Sequence, residues 1–372
     1  MVVDRSGLAT KASFAVPLLG LILLVATWGS DPATWLAVLL VAAHVALVLV
    51  SVVHAEVIAH RVGEPLGTLV LALSITVIEV SLIVTLMIAE GPKAESLARD
   101  TVFSAIMIVC NGVVGLSIVL GSRRRQLVRF SEQGANALLG TVITIATLSL
   151  VMPSFTESTE GGTFTGSQLA FSAVAAAVVY SVFVFVQTVR HRWMFLAPDA
   201  AHDEADDAHA HVVAHRPRAG RSEGLVLRSV ALLVCLVGVV GLAKTLAPRI
   251  EDAVAWAGAP QSFVGVVIAL LVLLPESVLA LRSAAHGEMQ TSLNLALGSA
   301  LASIGLTIPA VAVASIWLEG PITLGLGGKE IVLLAVTAVV SGLTFGSGQA
   351  TVLQGAQHLA LFSAFLFLSV VP

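Results

Sequence analysis

The chain has 372 residues, of which 57% are apolar and only 11% are charged, and its mean hydropathy is +0.98. Soluble domains carry about 25% charged residues, so this composition excludes a water-soluble globular enzyme. Intrinsic disorder is also excluded, because it requires low hydrophobicity and high charge. A net charge of −4 argues against nucleic acid as a partner. We therefore predict a polytopic membrane protein that has the lipid bilayer as its surroundings.

Apolar stretches recur along the chain, and each is long enough to cross about 30 Å of hydrocarbon. They cover residues 13–30, 34–55, 66–89, 99–121, 135–153, 167–189, 225–247, 261–282, 290–317, 329–347 and 350–371. The predicted fold class is all-α, with about eleven transmembrane helices. Arg5 and Lys11 precede the first stretch as they would in a signal peptide. The stretch ends in Val-Ala-Thr-Trp without a small-x-small cleavage site, so we expect it to remain as a helix.

The positions of the basic residues predict the orientation of the chain, because cytoplasmic segments are rich in Lys and Arg. With a cytoplasmic N-terminus, the outer segments hold only five of the 19 basic residues: Lys93, Arg99, Lys244, Arg249 and Lys329. The remaining fourteen then lie on the inner side. We therefore predict a multi-pass protein of the cell (plasma or inner) membrane whose N-terminus is cytoplasmic.

A polar segment at 190–224 interrupts the apolar pattern and divides the chain into parts. We predict an N-terminal cytoplasmic segment and first helix (1–33), a first repeat of five helices (34–189), this cytoplasmic loop (190–224) and a second repeat of five helices (225–372). The loop is rich in His and Asp between His202 and His211. It is either a solvated linker or a weak regulatory site for a divalent metal, and both interpretations stay open.

The two halves share a glutamate at matching positions. Val70-Leu71-Ala72-Leu73 precedes Glu79, and Val267-Ile268-Ala269-Leu270 precedes Glu276, each in the second helix of its half. Because each half has an odd number of helices, the halves enter the membrane with opposite sense. Secondary transporters with such inverted repeats place their binding sites at the midplane.

Glu79 and Glu276 lie deep in their spans, where a charge costs about 3 kcal/mol on insertion scales. The alternative is a structural role, in which each glutamate is protonated and hydrogen-bonds to a neighbouring helix. We favour a site for a transported cation and for protons. Pro275 removes a backbone donor beside Glu276, and the result is either an ordinary kink or a break that frees carbonyl oxygens for a hard cation.

Further polar residues accompany these glutamates in the apolar helices. The predicted site-lining residues are Thr76, Asn111, Ser299, Ser303 and Glu56. Thr76 lies one turn before Glu79, and an amide such as Asn111 needs a partner in hydrocarbon. Glu56, near the cytoplasmic end of its helix, either lines an ion path or is an interfacial charge. Small residues such as Gly298 and Gly305 are better explained by helix packing.

Two stretches of the sequence resemble signatures of the calcium/cation–proton antiporter family, and in particular its bacterial ChaA-type branch. The first runs from His54 to Thr68 and on into Thr76-Val-Ile-Glu79, and the second comprises Leu274-Pro-Glu-Ser277 and the stretch from Gln290 to Ser303. The similarity covers nearly the whole chain. It implies that Glu79 and Glu276 bind the transported ion and that Asn111 and Ser299 flank them.

The sequence departs from this family at two places. Val77-Ile78 replaces the Gly-Asn that eukaryotic relatives have before the first glutamate, and Ala302 lies where the second signature has Gln or Asn. These departures leave Na⁺ and K⁺ beside Ca²⁺ as candidate cations.

Composition and resemblance together lead to a functional hypothesis, a cation–proton antiporter that works by alternating access. Two carboxylates in a poorly hydrated site share protons that a cation can displace. The chain has no ATP-binding motif, so we expect no ATP and no cofactor besides the transported cation and H⁺. A cation channel that uses the same carboxylates is the alternative. A membrane enzyme is disfavoured because no nucleophile or metal constellation is present. The oligomeric state stays open.

Overall fold

The structure is a computed structural model, and it describes residues 5–30, 32–62, 80–81, 83–85, 87–88, 95–123, 126–196, 223–317 and 322–371. Apart from two short strands and turns, these residues form helices. In chain order the helices are α1 Arg5–Thr27, α2 Thr34–Val62, α3 Leu97–Ser122, α4 Glu132–Phe155, α5 Gly166–Arg190, α6 Glu223–Trp256, α7 Phe263–His286, α8 Met289–Ala314, α9 Gly328–Phe345 and α10 Val352–Val370. The strands are β1 Val128–Arg129 and β2 Gln349–Ala350.

The all-α polytopic architecture is confirmed, whereas the count of eleven helices is not. Among the described residues, eight helices are long and apolar enough to cross a membrane, and α7, which is bent, makes a ninth. The apolar part of α1 is shorter, at Ser13–Thr27. The predicted span at 66–89 lies largely outside the described residues.

The helices form two compact units, and neither unit is one predicted repeat. The first unit takes residues 1–89 and 214–257, and the second takes residues 90–213 and 258–372. Each therefore contains helices from both halves of the sequence. A repeat is defined by sequence and topology rather than by packing, so the predicted domain boundaries remain a prediction.

In the first unit, α2 and α6 pack along seams in which buried residues alternate at three and four positions. The buried residues of α2 on this seam are Leu40, His44, Leu47, Ser51, His54 and Ile58, and those of α6 are Leu232, Cys235, Val239, Leu242 and Leu246. This spacing keeps one stripe of each helix turned toward its partner. α1 joins them near His54, whose Nε2 lies 2.9 Å from the carbonyl oxygen of Ser13.

In the second unit, the connections between helices show how the repeats are oriented. β1, which precedes α4, pairs with β2, which precedes α10, so α4 and α10 begin on the same side. Thr163, before α5, bridges to Thr323, before α9, so these two helices begin on the other side. In the predicted repeats α4 corresponds to α9, and α5 to α10. Corresponding helices therefore run in opposite directions, which confirms the inverted sense for the last two helices of each half.

The same correspondence appears in how α5 and α10 begin. Thr165 and Gln168 form a capping box on α5, and Thr351 and Gln354 form the same box on α10. Each threonine hydroxyl accepts a bond from a backbone N–H of the first turn, and each glutamine side chain returns to the threonine N–H. Identical caps at corresponding helices support the repeat independently of the glutamates.

The connections before α5 and α9 approach each other so closely that glycine is required. The N–H of Gly325 donates to the carbonyl of Gly162 over 2.7 Å. A Cβ on Gly162 would lie 3.1 Å from the Cα of Gly325, and Gly162 also has a positive φ of 71°. A larger residue at either position would separate the two connections.

Candidate functional site

Glu276 lies in the middle of α7, at the point where the helix bends. The segments Phe263–Leu274 and Glu276–His286 are inclined at 56° to each other, with Pro275 between them. Proline cannot donate the backbone bond that a straight helix needs, so it accounts for the bend. Among the described residues of the second unit, Glu276 is the only carboxylate far from a helix end. The Glu276 side chain is partly buried.

Ser299 on α8 supplies a hydrogen bond to this carboxylate. The Ser299 hydroxyl donates to Oε2 of Glu276. Of the predicted site residues, the structure thus brings Glu276 and Ser299 together. A serine hydroxyl has one donor and two acceptor lone pairs. It can therefore donate to the carboxylate in one state and, after rotating, offer its oxygen to a cation in another.

Hydroxyl groups continue along α8 from Ser299 at intervals of four residues. Ser303 is 1% exposed and Thr307 is fully buried. Residues spaced by four lie on one face of a helix. The Thr307 hydroxyl has no hydrogen-bond partner among the described residues, and an unpaired buried hydroxyl is costly. The stripe therefore places two further hydroxyl groups on the face of α8 that carries Ser299.

Two other polar residues of the second signature, Gln290 and Asn294, support the fold instead. The Gln290 side chain accepts a bond from the N–H of Ser131 over 2.6 Å and donates to Asn294 over 2.9 Å. Asn294 in turn donates to the carbonyl of Phe195 over 2.6 Å. Both residues hold connecting segments against the beginning of α8, so the sequence signature combines scaffold and site residues.

Asn111 is fully buried, and its amide bonds to the last two helices of the chain. Nδ2 donates to the Thr337 hydroxyl on α9 over 2.9 Å, and Oδ1 lies 3.3 Å from Nδ1 of His358 on α10. Asn111 belongs to a π-helical turn, Ile108–Val113, inside α3. Such turns occur often at functional sites. The role of Asn111 in lining an ion site remains a prediction.

Several predicted site residues lie outside the part of the chain that the structure describes. Glu79 and Thr76 lie outside the described residues, and so does most of the loop at 190–224. Glu56 is on α2, but its side chain lies outside the description. Their proposed roles therefore depend on the sequence alone.

Sequence reasoning missed Thr337 and His358, which contact Asn111, and Thr344, which contacts His358. The sequence contains a pattern that could have identified them. Thr337, Ser341 and Thr344 recur at intervals of four and three in an apolar helix, and His358 is an ionisable residue in the middle of another. Polar residues at such depth mark functional or packing sites by default.

Comparison with known proteins shows extensive similarity. The sequence model of the sodium/calcium exchanger protein family matches residues 12–189 and 228–371. A protein of Sinorhizobium fredii named as an ionic transporter, y4hA, is 44% identical over 325 residues, which cover 87% of this chain and 86% of that protein. The sodium-potassium/proton antiporter ChaA of Escherichia coli is 36% identical over 313 residues, which cover 84% of this chain and 82% of ChaA.

The fold also matches a solved structure. The crystal structure of the H⁺/Ca²⁺ exchanger CAX superposes with a TM-score of 0.73 at 13% identity and covers 98% of this chain and 89% of that one. At this identity the likeness concerns the fold.

Proposed function

The chain belongs to the sodium/calcium exchanger family of multi-pass membrane transporters, and on this premise we propose that it exchanges a cation, Na⁺, K⁺ or Ca²⁺, for protons. In this proposal Glu276 and Glu79 bind the cation and the protons in turn. The observation that carries the proposal is the Glu276 carboxylate at the bend of α7, bonded by the Ser299 hydroxyl. The site alternates between the two sides of the membrane only when its charge is neutralised.

The chemistry of this site supports competition between cations and protons. A carboxylate binds either a proton or a cation, and a hydroxyl beside it can assist both states. If the empty, charged site cannot cross to the other side, a cation leaves only when protons replace it. Obligatory exchange then follows without ATP or a resident cofactor. A channel would need a continuous path, and no observation favours one.

The composition of the proposed site and the similarity to ChaA bear on which cation is carried. Ca²⁺ takes six to eight oxygen ligands, several of them carboxylates. The proposed site contributes two carboxylates, Glu79 and Glu276, and the Ser299 hydroxyl. This set of ligands leaves Na⁺, K⁺ and Ca²⁺ as candidates. The E. coli relative is named a sodium-potassium/proton antiporter, and this similarity favours a monovalent cation.

The membrane and the orientation are also part of the proposal. We place the protein in the cell inner membrane, with its N-terminus and residues 190–224 on the cytoplasmic side. The support is the distribution of Lys and Arg, of which only five lie in the predicted outer segments.

The decisive experiment is a pH-jump fluorescence assay in everted membrane vesicles, with Na⁺, K⁺, Ca²⁺ and Mg²⁺ added separately. The wild-type chain should release protons from the vesicle lumen on addition of its cation. Glu276→Gln should abolish that release, because an amide cannot take up the exchanged proton and has no negative charge to bind the cation. Glu288→Gln is the matched control, since Glu288 is exposed just before α8 and its side chain makes no capping bond. Cation flux that is not coupled to ΔpH would refute antiport and favour a channel.

A further inference from the structure

A chain of buried hydrogen bonds connects α3, α9 and α10 through Asn111. The Thr344 hydroxyl lies 3.2 Å from Nε2 of His358, and Nδ1 of His358 lies 3.3 Å from Oδ1 of Asn111. Nδ2 of Asn111 bonds to Thr337, whose hydroxyl lies 3.6 Å from Sδ of Met107. All five side chains are at most 1% exposed.

The acceptors around His358 determine the direction of this chain. Asn111 lies in the π-helical turn, and its Nδ2 donates to Thr337, so its Oδ1 is the atom that faces Nδ1 of His358. An amide oxygen can only accept, so Nδ1 must carry a proton. In the neutral imidazole, Nε2 then accepts from the Thr344 hydroxyl. The imidazole therefore fixes the orientation of the Asn111 amide and, through it, the π-helical turn.

The corresponding position in the first repeat shows that this arrangement belongs to the second repeat alone. Ser172 lies seven residues after the capping threonine of α5, and His358 lies seven residues after that of α10. Ser172 bonds to Ser149 on the preceding helix over 3.0 Å, as His358 bonds to Thr344 on its preceding helix. The inter-helix bond is common to both repeats. The imidazole adds a second nitrogen, which reaches the π-helical turn.

We propose that His358 is a positioning residue for ion binding, which acts through Asn111 and the π-helical turn. This turn packs against α7, the helix that carries Glu276. His358 does not touch the carboxylate in this scheme; it holds the segment of α3 that packs against α7. The inference deepens the proposed exchange function and depends on it for its transport test.

Two substitutions separate the donor function of His358 from its bulk. In His358→Asn the amide nitrogen takes the place of Nδ1 and can still donate to the π-helical turn. His358→Leu keeps an apolar volume but has no donor. Ser363→Ala is the matched control on the same helix, because Ser363 is exposed and bonds only to the carbonyl of Leu359 among the described residues.

In vesicle exchange assays, His358→Leu should raise the apparent KM for the cation roughly three- to tenfold, the effect of one lost buried hydrogen bond. His358→Asn and Ser363→Ala should stay close to wild type. In an Asn111→Ala background, His358→Leu should have little further effect, because it acts through that residue. An equal effect of His358→Leu in both backgrounds, or a wild-type KM in His358→Leu, would overturn the proposal.

A second measurement does not depend on transport. Amide hydrogen exchange of the purified protein in detergent should be faster at residues 108–114 in His358→Leu, and unchanged there in His358→Asn. If the wild-type chain shows no cation–proton exchange, the proposed function fails, whereas this measurement still tests whether His358 holds the turn. Unaltered protection at 108–114 in His358→Leu would show that it does not.

Discussion

Gly115 on α3 controls how closely α3 and α10 approach each other, and Gly115→Ala tests whether this contact matters. A Cβ at this position would lie 2.9 Å from Cβ of His358, 3.0 Å from the carbonyl oxygen of Gly355 and 3.1 Å from Cγ of Leu359. Carbon atoms normally pack at about 3.5–4.0 Å. The helices must therefore separate by roughly 0.6 Å or more, since backbone atoms cannot rotate away.

The size of the effect follows from a matched comparison with Gly140 on α4. A Cβ on Gly140 would have no neighbour within 4 Å. Both substitutions gain the same helix propensity, up to about 1 kcal/mol, so their difference isolates the packing cost. Overpacking of a close contact costs about 1–3 kcal/mol. We expect Gly115→Ala to be less stable than Gly140→Ala by that amount. The Asn111–His358 distance, already 3.3 Å, should also exceed the range of a hydrogen bond.

A thiol-reactive dye provides the assay, because Cys110 and Cys235 are both fully buried and react only when the protein unfolds. Gly115→Ala should react at a lower temperature than Gly140→Ala, and its apparent KM for the cation should rise. Equal unfolding temperatures and an unchanged KM would show that the close α3–α10 contact limits neither stability nor cation binding.

Three further predictions concern the proposed exchange. Glu79→Gln should abolish cation-dependent proton release while the protein remains in the membrane; full transport at saturating cation would exclude a site shared with Glu276. Deleting residues 199–215 should preserve exchange, measured in vesicles, and change at most its dependence on cytoplasmic cation; loss of transport in a correctly inserted protein would give the loop a larger role. A cysteine introduced at Ala205 should be labelled by an impermeant thiol reagent in everted vesicles and not in intact cells, because 190–224 is proposed to be cytoplasmic. The reverse pattern would contradict the orientation.

Sequence reasoning located the apolar helices well. The predicted spans at 135–153 and 350–371 correspond to Glu132–Phe155 and Val352–Val370 in the structure. Hydrophobic length is a property of consecutive residues, so it needs no knowledge of neighbours. The depth of Glu276 in its span and the bend at Pro275 follow from the same local information.

The surroundings of Asn111 could not be derived in this way. Its partners Thr337 and His358 are more than 200 residues away in sequence, and they meet it only when α9 and α10 pack against α3. The π-helical turn at Ile108–Val113 could not be predicted from the sequence either. Its sequence is compatible with an ordinary helix, and packing decides which backbone bonds form. The division into units likewise reflects packing between helices that are distant in the chain.

If one carboxylate site serves both the cation and the proton, the two ions must compete, and this competition can be measured in the pH dependence of the exchange kinetics. Initial rates would be measured from about pH 6.5 to about pH 9 at varied cation concentration, with both sides of the vesicle membrane at the same starting pH. Protons compete with the cation for the carboxylates, so lowering the pH should raise the apparent KM and leave the maximal rate unchanged. A KM independent of pH, with a maximal rate that falls, would contradict a shared site and assign the proton to another group, with Glu56 the first to test.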